Sequence, residues 1–430
     1  MRIIEIFKQI TAIPRCSGTY KPFIEYMQNI AKRYNYLCHV DGANNILLYK
    51  NNSNTNICLQ SHYDIVCLKN GKIPKIIESN GFLKAKDSTL GADNGIGCAY
   101  MLYLIENSIN CEYLFTSDEE IGLVGANNIE FNIQSSYMLN LDSEVESEIC
   151  IGCAGGVDIF ATNNKSSIMP NSYNKTLFKI QVDKLDGGHS GIDIDKNIPN
   201  ALKLIAQSIK ECDGELISLE GGDRINSIPK SAKAIILSEK TPLQTTKNMT
   251  IQKIDKKVEH YKKLDGNIIN FLYTFSNGTR GYDSKLDVVT DSINLAIAKN
   301  INDGVHIQLS ARSMDDSQLE IIKNETTSLL QCFGFEVSYK GKYPAWQSSN
   351  SPFTQQVLQI YKKYNKNARL RAIHAGLECA IFQKKFPHMQ ICSIGPNIYF
   401  PHSIREKCEV TSVNNVYEVI KDIVVVTNRL

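Results

Sequence analysis

The chain has 430 residues, 43% of them hydrophobic and 21% charged, with a formal net charge of +2. This balance allows well-packed cores in two or three domains, and it offers neither the basic field that nucleic acid requires nor an acidic tail. The sequence contains no run of about 18 apolar residues, so no membrane span is expected, and its N-terminus lacks the apolar core of a secretory signal. Residues 1–35 read as two helices around the turn IPRCSGTYKP. The first carries Ile3, Ile4, Phe7 and Ile10 at helical spacing and should be ended by Pro14. YLCHVDGANNILLYKN predicts a hairpin around Asp41-Gly42, and ICLQSHYD predicts a buried strand. KNGKIPKIIESNGFLKAKDSTLGADN, punctuated by Gly and Pro, reads as irregular, and GIGCAYMLYLIEN as a helix. Strand and helix patterns alternate onward to Asp142, as in a layered α/β domain.

The chain turns polar around Asn171–Lys175, and a second pattern starts there. TLFKIQVDKL reads as a strand, GGHSG as a break, and IPNALKLIAQSIKEC as a helix with Pro199 near its start. Two or three strands are expected in GELISLEGGDRINSIPKSAKAIILS, then a charged helix over roughly residues 241–275. A strand pair around Asn302–Gly304, a helix in DSQLEIIKNETTSLLQCFG and a strand in FEVSYKGKYPAW follow. The whole therefore reads as an α/β domain with a mixed sheet, residues 1–171 and 345–430, into which a smaller α+β domain, 172–344, is inserted. The 13 Cys are an odd number spread through apolar segments, the pattern of buried free thiols in a reducing cytoplasm. For the C-x-x-C of Cys150 and Cys153 the expectation is a structural turn, because no second pair stands at zinc-ribbon spacing.

The candidate chemistry lies where apolar runs end. ICLQSHYD ends in His62 and Asp64, EYLFTSDEE in Glu119 and Glu120, and YMLNLD in Asp142. MQICSIGP is followed by a loop to His402, and STLGADNGIG offers Asp93. In an open α/β sheet ligands sit beyond the carboxyl ends of the strands, which is where these side chains should gather. So many carboxylates and His residues exceed one closed structural zinc site and suit two divalent ions about 3.5–4 Å apart. Strand alternation puts His62 and Asp64 on one side, so Asp64 can orient the imidazole. Of the neighbours Glu119 and Glu120, one can bind metal while the other faces the attacking water as general base.

LQSHYDIV, STLGADNGIG, LFTSDEEIGLVGA, MLNLDSE, IGCAGGVD, GGHSGIDI, GGDRINSIP, ARSMDD, YPAW, IHAGLECAIF and SIGP followed by HS..E together closely resemble the M20 clan of dizinc metallopeptidases. HAGLE and GCAGG point to its aminoacyl-histidine dipeptidase branch. The resemblance implies a catalytic α/β domain made from both chain ends plus an inserted lid. It implies that His62, Asp142, Glu120 and His402 bind the two ions with Asp93 bridging, that Asp64 orients His62, and that Glu119 is the general base. It further implies that His189 polarises the scissile carbonyl, that Asn226, Arg312 and Gly376 hold the substrate, and that the Asp93–Asn94 peptide bond is cis. Metal ligands and lid residues would then have to meet over the substrate.

Two Zn²⁺ ions are the default for these N and O ligands, with Mn²⁺ or Co²⁺ as alternatives. The expected activity is hydrolysis of dipeptides or short peptides in the cytoplasm, with no nucleic-acid or membrane partner and with a homodimer through the lid left open. Competing readings are an N-acyl amino acid amidohydrolase and a non-catalytic binding protein that keeps the fold.

Overall fold

The structure is a computed structural model that describes residues 2–51, 55–68, 73–171, 175–256, 258–347 and 350–429. The chain forms two compact units: Met1–Cys153 with Trp346–Ala372 and Leu377–Leu430, and Ala154–Ala345 with Ile373–Gly376.

The first unit is built on an eight-stranded sheet, in the order Leu37–Val40, Ile46–Tyr49, Glu112–Thr116, Ile57–His62, Tyr137–Asn140, Gln390–Ser393, Glu148–Cys153 and Arg369–Ile373. The four strands from Glu112–Thr116 to Gln390–Ser393 run parallel. Ile57–His62 and Glu112–Thr116 are buried at every position, as central parallel strands covered on both faces should be. Helix Arg2–Thr11 buries Ile3, Ile6, Phe7 and Ile10 in the core of this unit, stopping short of Pro14. Helix Ala92–Glu106 is apolar on nearly all sides and correspondingly buried. Among the described residues, no helix is long and apolar enough to cross a membrane.

Close backbone approach fixes Gly395, just beyond strand Gln390–Ser393: a Cβ there would lie 1.6 Å from the Ser143 carbonyl oxygen. Gly395→Ala is therefore expected to displace backbone and lower the stability of this unit by about 1–3 kcal/mol, read as a fall in melting temperature.

The second unit centres on a nine-stranded sheet whose assigned strand pairs are antiparallel. Helices Ala201–Glu211, Gly266–Thr274 and Asp316–Cys332 contribute to its core. Their starts follow from side-chain caps. Asn200 accepts from the Leu202 and Lys203 amides, Asp265 from Asn267, and Asp315 from Gln318. Strand Gly155–Asn163 pairs with Gly304–Ser313 and Glu336–Tyr343, so this unit begins at Ala154, upstream of the polar stretch around Asn171–Lys175. Residues 172–174 of that stretch lie outside the described residues.

Four expectations are corrected. Residues 241–275 do not form one helix. They contain strands Met249–Ile254 and His260–Leu264 before helix Gly266–Thr274. Met249–Ile254 is the sheet's edge strand, and charge tolerated along such an edge resembles a charged helix in composition alone. The stretch after Lys69 is not wholly irregular, because Ile76–Ser79 and Phe82–Ala85 pair as a hairpin. Its turn residues Asn80 and Gly81 both have positive φ, the backbone that Asn-Gly favours. Cys150 and Cys153 lie in strand Glu148–Cys153, not in a turn, and both are buried. Finally, Cys16 and Cys67 form a disulfide, so the free-thiol pattern does not hold for that pair.

Candidate metal centre

Three of the parallel strands deliver the first set of side chains. His62 is the last residue of Ile57–His62 and is 1% exposed. Glu119 and Glu120 follow Glu112–Thr116 through a turn in which Asp118 has φ of 49°. Asp142 follows Tyr137–Asn140. Asp93 is in the first turn of helix Ala92–Glu106, and the Asp93–Asn94 peptide bond is cis. His402 lies in the loop between Ile398–Tyr399 and Lys407–Glu409, with φ of 59°.

The five side chains expected to hold metal converge, with Asp93 at the centre. Asp93 Oδ1 is 3.2 Å from His62 Nε2, and its Oδ2 is 2.9 Å from His402 Nε2. His62 Nε2 is also 3.2 Å from Asp142 Oδ1, while His402 Nε2 is 3.0 Å from Glu120 Oε2. Ligand atoms of His62, Asp93 and Asp142 lie within 4.8 Å of one another, as do those of Asp93, Glu120 and His402, and those of His62, Glu119 and Glu120. One carboxylate thus reaches two His-centred groups with its two oxygens.

The donor set fits two divalent cations. His62 Nδ1 is 3.1 Å from the Asp64 carbonyl oxygen, so a neutral imidazole donating there turns the Nε2 lone pair toward the Asp93 and Asp142 carboxylates. Lone pairs facing one another require a cation or a proton between them. Glu120 Oε1 is buried without a hydrogen-bond partner, and beside Asp142 Oδ1 stands the His62 ring nitrogen, both placements suited to ligand atoms.

The electrostatics of the site report the same crowding. Burial alone would lower the His62 pKa, but Asp142, then Asp64 and Asp93, raise it well above the usual imidazole value. Burial pushes Glu120 up to about 7 and Asp142 to about 6, with Asp93 adding to both. Asp93 goes the other way: burial opposes its ionisation, yet His402 and His62 hold it well below the carboxylate range. Glu119 is raised well above its ordinary value by burial and then by Glu120, Asp142 and Glu378, against the pull of His62.

Asp64 is almost fully buried and organises the strand ends. Its Oδ1 accepts from the Glu119 amide at 3.0 Å, and its Oδ2 from the Glu120 amide at 3.3 Å and the Ser17 hydroxyl at 2.7 Å. Its Oδ1 is 3.5 Å from His62 Nδ1, farther than its own carbonyl oxygen. The carboxylate therefore aims the two glutamates as much as the imidazole.

The other residues expected to act lie in the second unit. His189 sits in the short strand Gly188–His189, paired with Ser227–Ile228 beside Asn226. Its Nδ1 accepts from the amides of Gly191 and Ile192, both at 3.2 Å, which leaves the ring proton on Nε2 as a donor. Arg312 is 7% exposed. One of its terminal nitrogens, Nη1, donates to the Tyr343 hydroxyl at 2.6 Å, and its Nε has no partner. Gly376 lies against the same tyrosine, since a Cβ at 376 would meet the Tyr343 ring at 2.8 Å. His374, between these groups in sequence, bonds Ser292 at 2.7 Å. Burial, then Arg312, lowers its pKa to about 3, so it is a neutral structural imidazole.

Two further acidic side chains act on the cluster. Glu378 is fully buried and accepts from Gln60 and Thr116, and burial raises its pKa to about 8. Burial also raises Glu144 well above its usual value, Asp93 adding to the shift. Tyr343 falls within YPAW and Glu406 closes the HS..E pattern, whereas Arg15 belongs to none of the quoted motifs; Tyr343 bonds Arg312, and Arg15 and Glu406 bond backbone groups.

The family model of Peptidase family M20/M25/M40 matches residues 58–425. The cytosol non-specific dipeptidase of Escherichia coli (strain K12) is 32% identical over 467 aligned residues, covering 97% of this chain and 96% of that protein. Among solved structures, the aminoacylhistidine dipeptidase of Vibrio alginolyticus superposes with a TM-score of 0.79 at 25% identity, covering 99% of this chain and 96% of that one. Human carnosine dipeptidase 1 shares the fold at a TM-score of 0.58 and 12% identity, covering 100% of this chain and 97% of that chain.

Proposed function

The chain belongs to peptidase family M20/M25/M40, and on that premise we propose that it is a metal-dependent dipeptidase whose metal ligands are His62, Asp93, Glu120, Asp142 and His402. The observation that carries this reading is the central position of Asp93, one oxygen toward His62 and the other toward His402. Two divalent ions held by these five residues would supply Lewis acidity to the attacking water and to the scissile carbonyl. Zinc is the default for this N and O set, with Mn²⁺ and Co²⁺ as substitutes.

The chain's own residues do the rest. Glu119, grouped with His62 and Glu120, takes a proton from the attacking water and delivers it to the leaving amine. Asp64 fixes the direction of Glu119 through its backbone amide and helps set the His62 tautomer. His189 offers its Nε2 proton to the carbonyl oxygen as negative charge develops there. Arg312 grips the terminal carboxylate of the substrate, with Asn226 and Gly376 holding its backbone. A cytosolic location belongs to the same reading, by analogy with the Escherichia coli relative.

The test is a panel of free dipeptides against N-acetylated amino acids, assayed with added Zn²⁺, Mn²⁺ or Co²⁺. Hydrolysis of dipeptides in preference supports the reading. Preference for N-acyl substrates reassigns the chain to amidohydrolase chemistry, and inactivity on all of them argues for a binding role.

Metal addition should also stabilise the fold, because cations relieve the repulsion among Asp93, Glu119, Glu120 and Asp142. Free ion at a thousandfold excess over its dissociation constant contributes about 4 kcal/mol. Thermal melts of chelator-treated and reloaded protein are expected to differ accordingly, and coincident melts would contradict ion binding at this cluster.

A further inference from the structure

We propose that Arg15 is a positioning residue that, together with Glu406, sets the spacing between the two sides of the metal centre. This inference rests on the reading that the cluster around Asp93 holds two ions.

Arg15 belongs to the turn between the first two helices and is 1% exposed, an unusual place for a guanidinium. One terminal nitrogen, Nη1, donates to the Tyr63 carbonyl at 2.8 Å, and the other, Nη2, to the Gly91 carbonyl at 2.9 Å. Tyr63 directly follows His62, and Gly91 precedes Asp93 by two residues. A single planar group therefore ties the strand end bearing one ligand to the helix start bearing the bridging one. The Arg15 backbone adds a third tie, its carbonyl accepting from the Ile65 amide at 3.1 Å.

Glu406 holds the same helix start from its other backbone groups. It is 3% exposed, and it accepts from the amides of Leu90 at 2.8 Å, Gly91 at 3.2 Å and Ala92 at 2.8 Å. Residues 90–92 are thus fixed through three N–H groups by Glu406 and through one carbonyl by Arg15. The packing admits little slack. Gly91 has φ of +68°, and a Cβ on Gly95 would lie 2.4 Å from Arg15 Nη2 and 2.8 Å from the Phe7 ring.

Both side chains act on backbone, and neither reaches the ligand atoms by a hydrogen bond. The chemistry they control is where Asp93 stands relative to His62, and so how well the two oxygens of Asp93 can serve two ions at once. The buried positive charge also lies close to Asp64, Glu406 and Asp93, offsetting part of their mutual repulsion.

The test measures ion binding by equilibrium dialysis against Zn²⁺ and Mn²⁺ on folded, chelator-treated protein, with melting temperature recorded in parallel. Arg15→Met keeps the volume but removes the charge and the fork of donors, and Glu406→Gln keeps the shape but halves the acceptor set. Each is expected to weaken binding about ten- to hundredfold, as loss of a group that orients ligands does, with Arg15→Lys recovering part of the loss. A purely structural role would lower the melting temperature and leave the affinity of the folded protein unchanged. Folded variants that bind two ions with wild-type affinity overturn the proposal. If Arg15→Met does not fold, Arg15→Lys and Glu406→Gln decide by the same criterion. Wild-type protein that binds no ions would refute the dimetal reading itself, which keeps the two failures distinct.

Discussion

Glu119→Gln is expected to lose nearly all turnover while the purified protein keeps both metal ions. Glu119 shares a group within 4.8 Å with His62 and Glu120, so a water held there is within its reach. The substitution preserves side-chain volume and leaves the Glu119 backbone amide bonded to Asp64. What it removes is the one group at that position able to accept a proton, since an amide cannot. General-base contributions of this kind amount to about 10²–10⁴ in rate. Glu120→Gln is the control. Glu120 Oε2 lies 3.0 Å from His402 Nε2 and its Oε1 is buried without a partner, so neutralising it should weaken metal binding as well as turnover. Measuring kcat and metal content on the same preparations separates the two. Substantial turnover by metal-loaded Glu119→Gln would assign the proton transfer to another residue.

The metal-centre candidates were legible in the sequence because they sit at the ends of apolar runs. ICL and YLF are short apolar runs without polar alternation, which suits strands buried on both faces, and His62, Glu119 and Glu120 come within a few residues of their ends. Asp93 could be placed because STLGADNGIG opens a helix with an uninterrupted apolar body. Arg15 was not legible, and Glu406 only as the end of the HS..E pattern without a role, because their partners are carbonyls and amides, groups that every residue carries. The first pairs with Gly91 across 76 positions of sequence, and the second with Leu90 across 316. The misreading of residues 241–275 has a different origin. Met249–Ile254 pairs on one side only, so its alternation is diluted by exposed polar residues and its charge content resembles a solvated helix. The start of the second unit was misjudged for a related reason. Polarity changes at Asn171, but strand Gly155–Asn163 chooses its partners by hydrogen bonding to Gly304–Ser313, which composition does not report.

Arg312→Ala and amidation of the substrate's C-terminus are each expected to lower kcat/KM for dipeptides by an amount equivalent to about 2–5 kcal/mol, the usual cost of truncating one side of a buried charge-assisted pair. Arg312 is buried on strand Gly304–Ser313. Its Nη1 donates to a neutral hydroxyl, and its Nε has no acceptor. A buried guanidinium left in that condition is costly unless an anion completes it, and a carboxylate matches its planar fork with two oxygens. Tyr343 holds the group by its Nη1, and the absence of side chains at Gly156 and Gly376 is what leaves room for the tyrosine ring. The sharper experiment combines the two changes. If Arg312 and the substrate carboxylate act on each other, amidated dipeptide on Arg312→Ala enzyme should lose little more than either change alone. Additive losses would mean that the arginine and the carboxylate serve separate purposes. Equal cleavage of free and amidated dipeptides by the wild type would remove the carboxylate clamp altogether, and preference for N-acyl amino acids or longer peptides would then become the stronger reading of this chain.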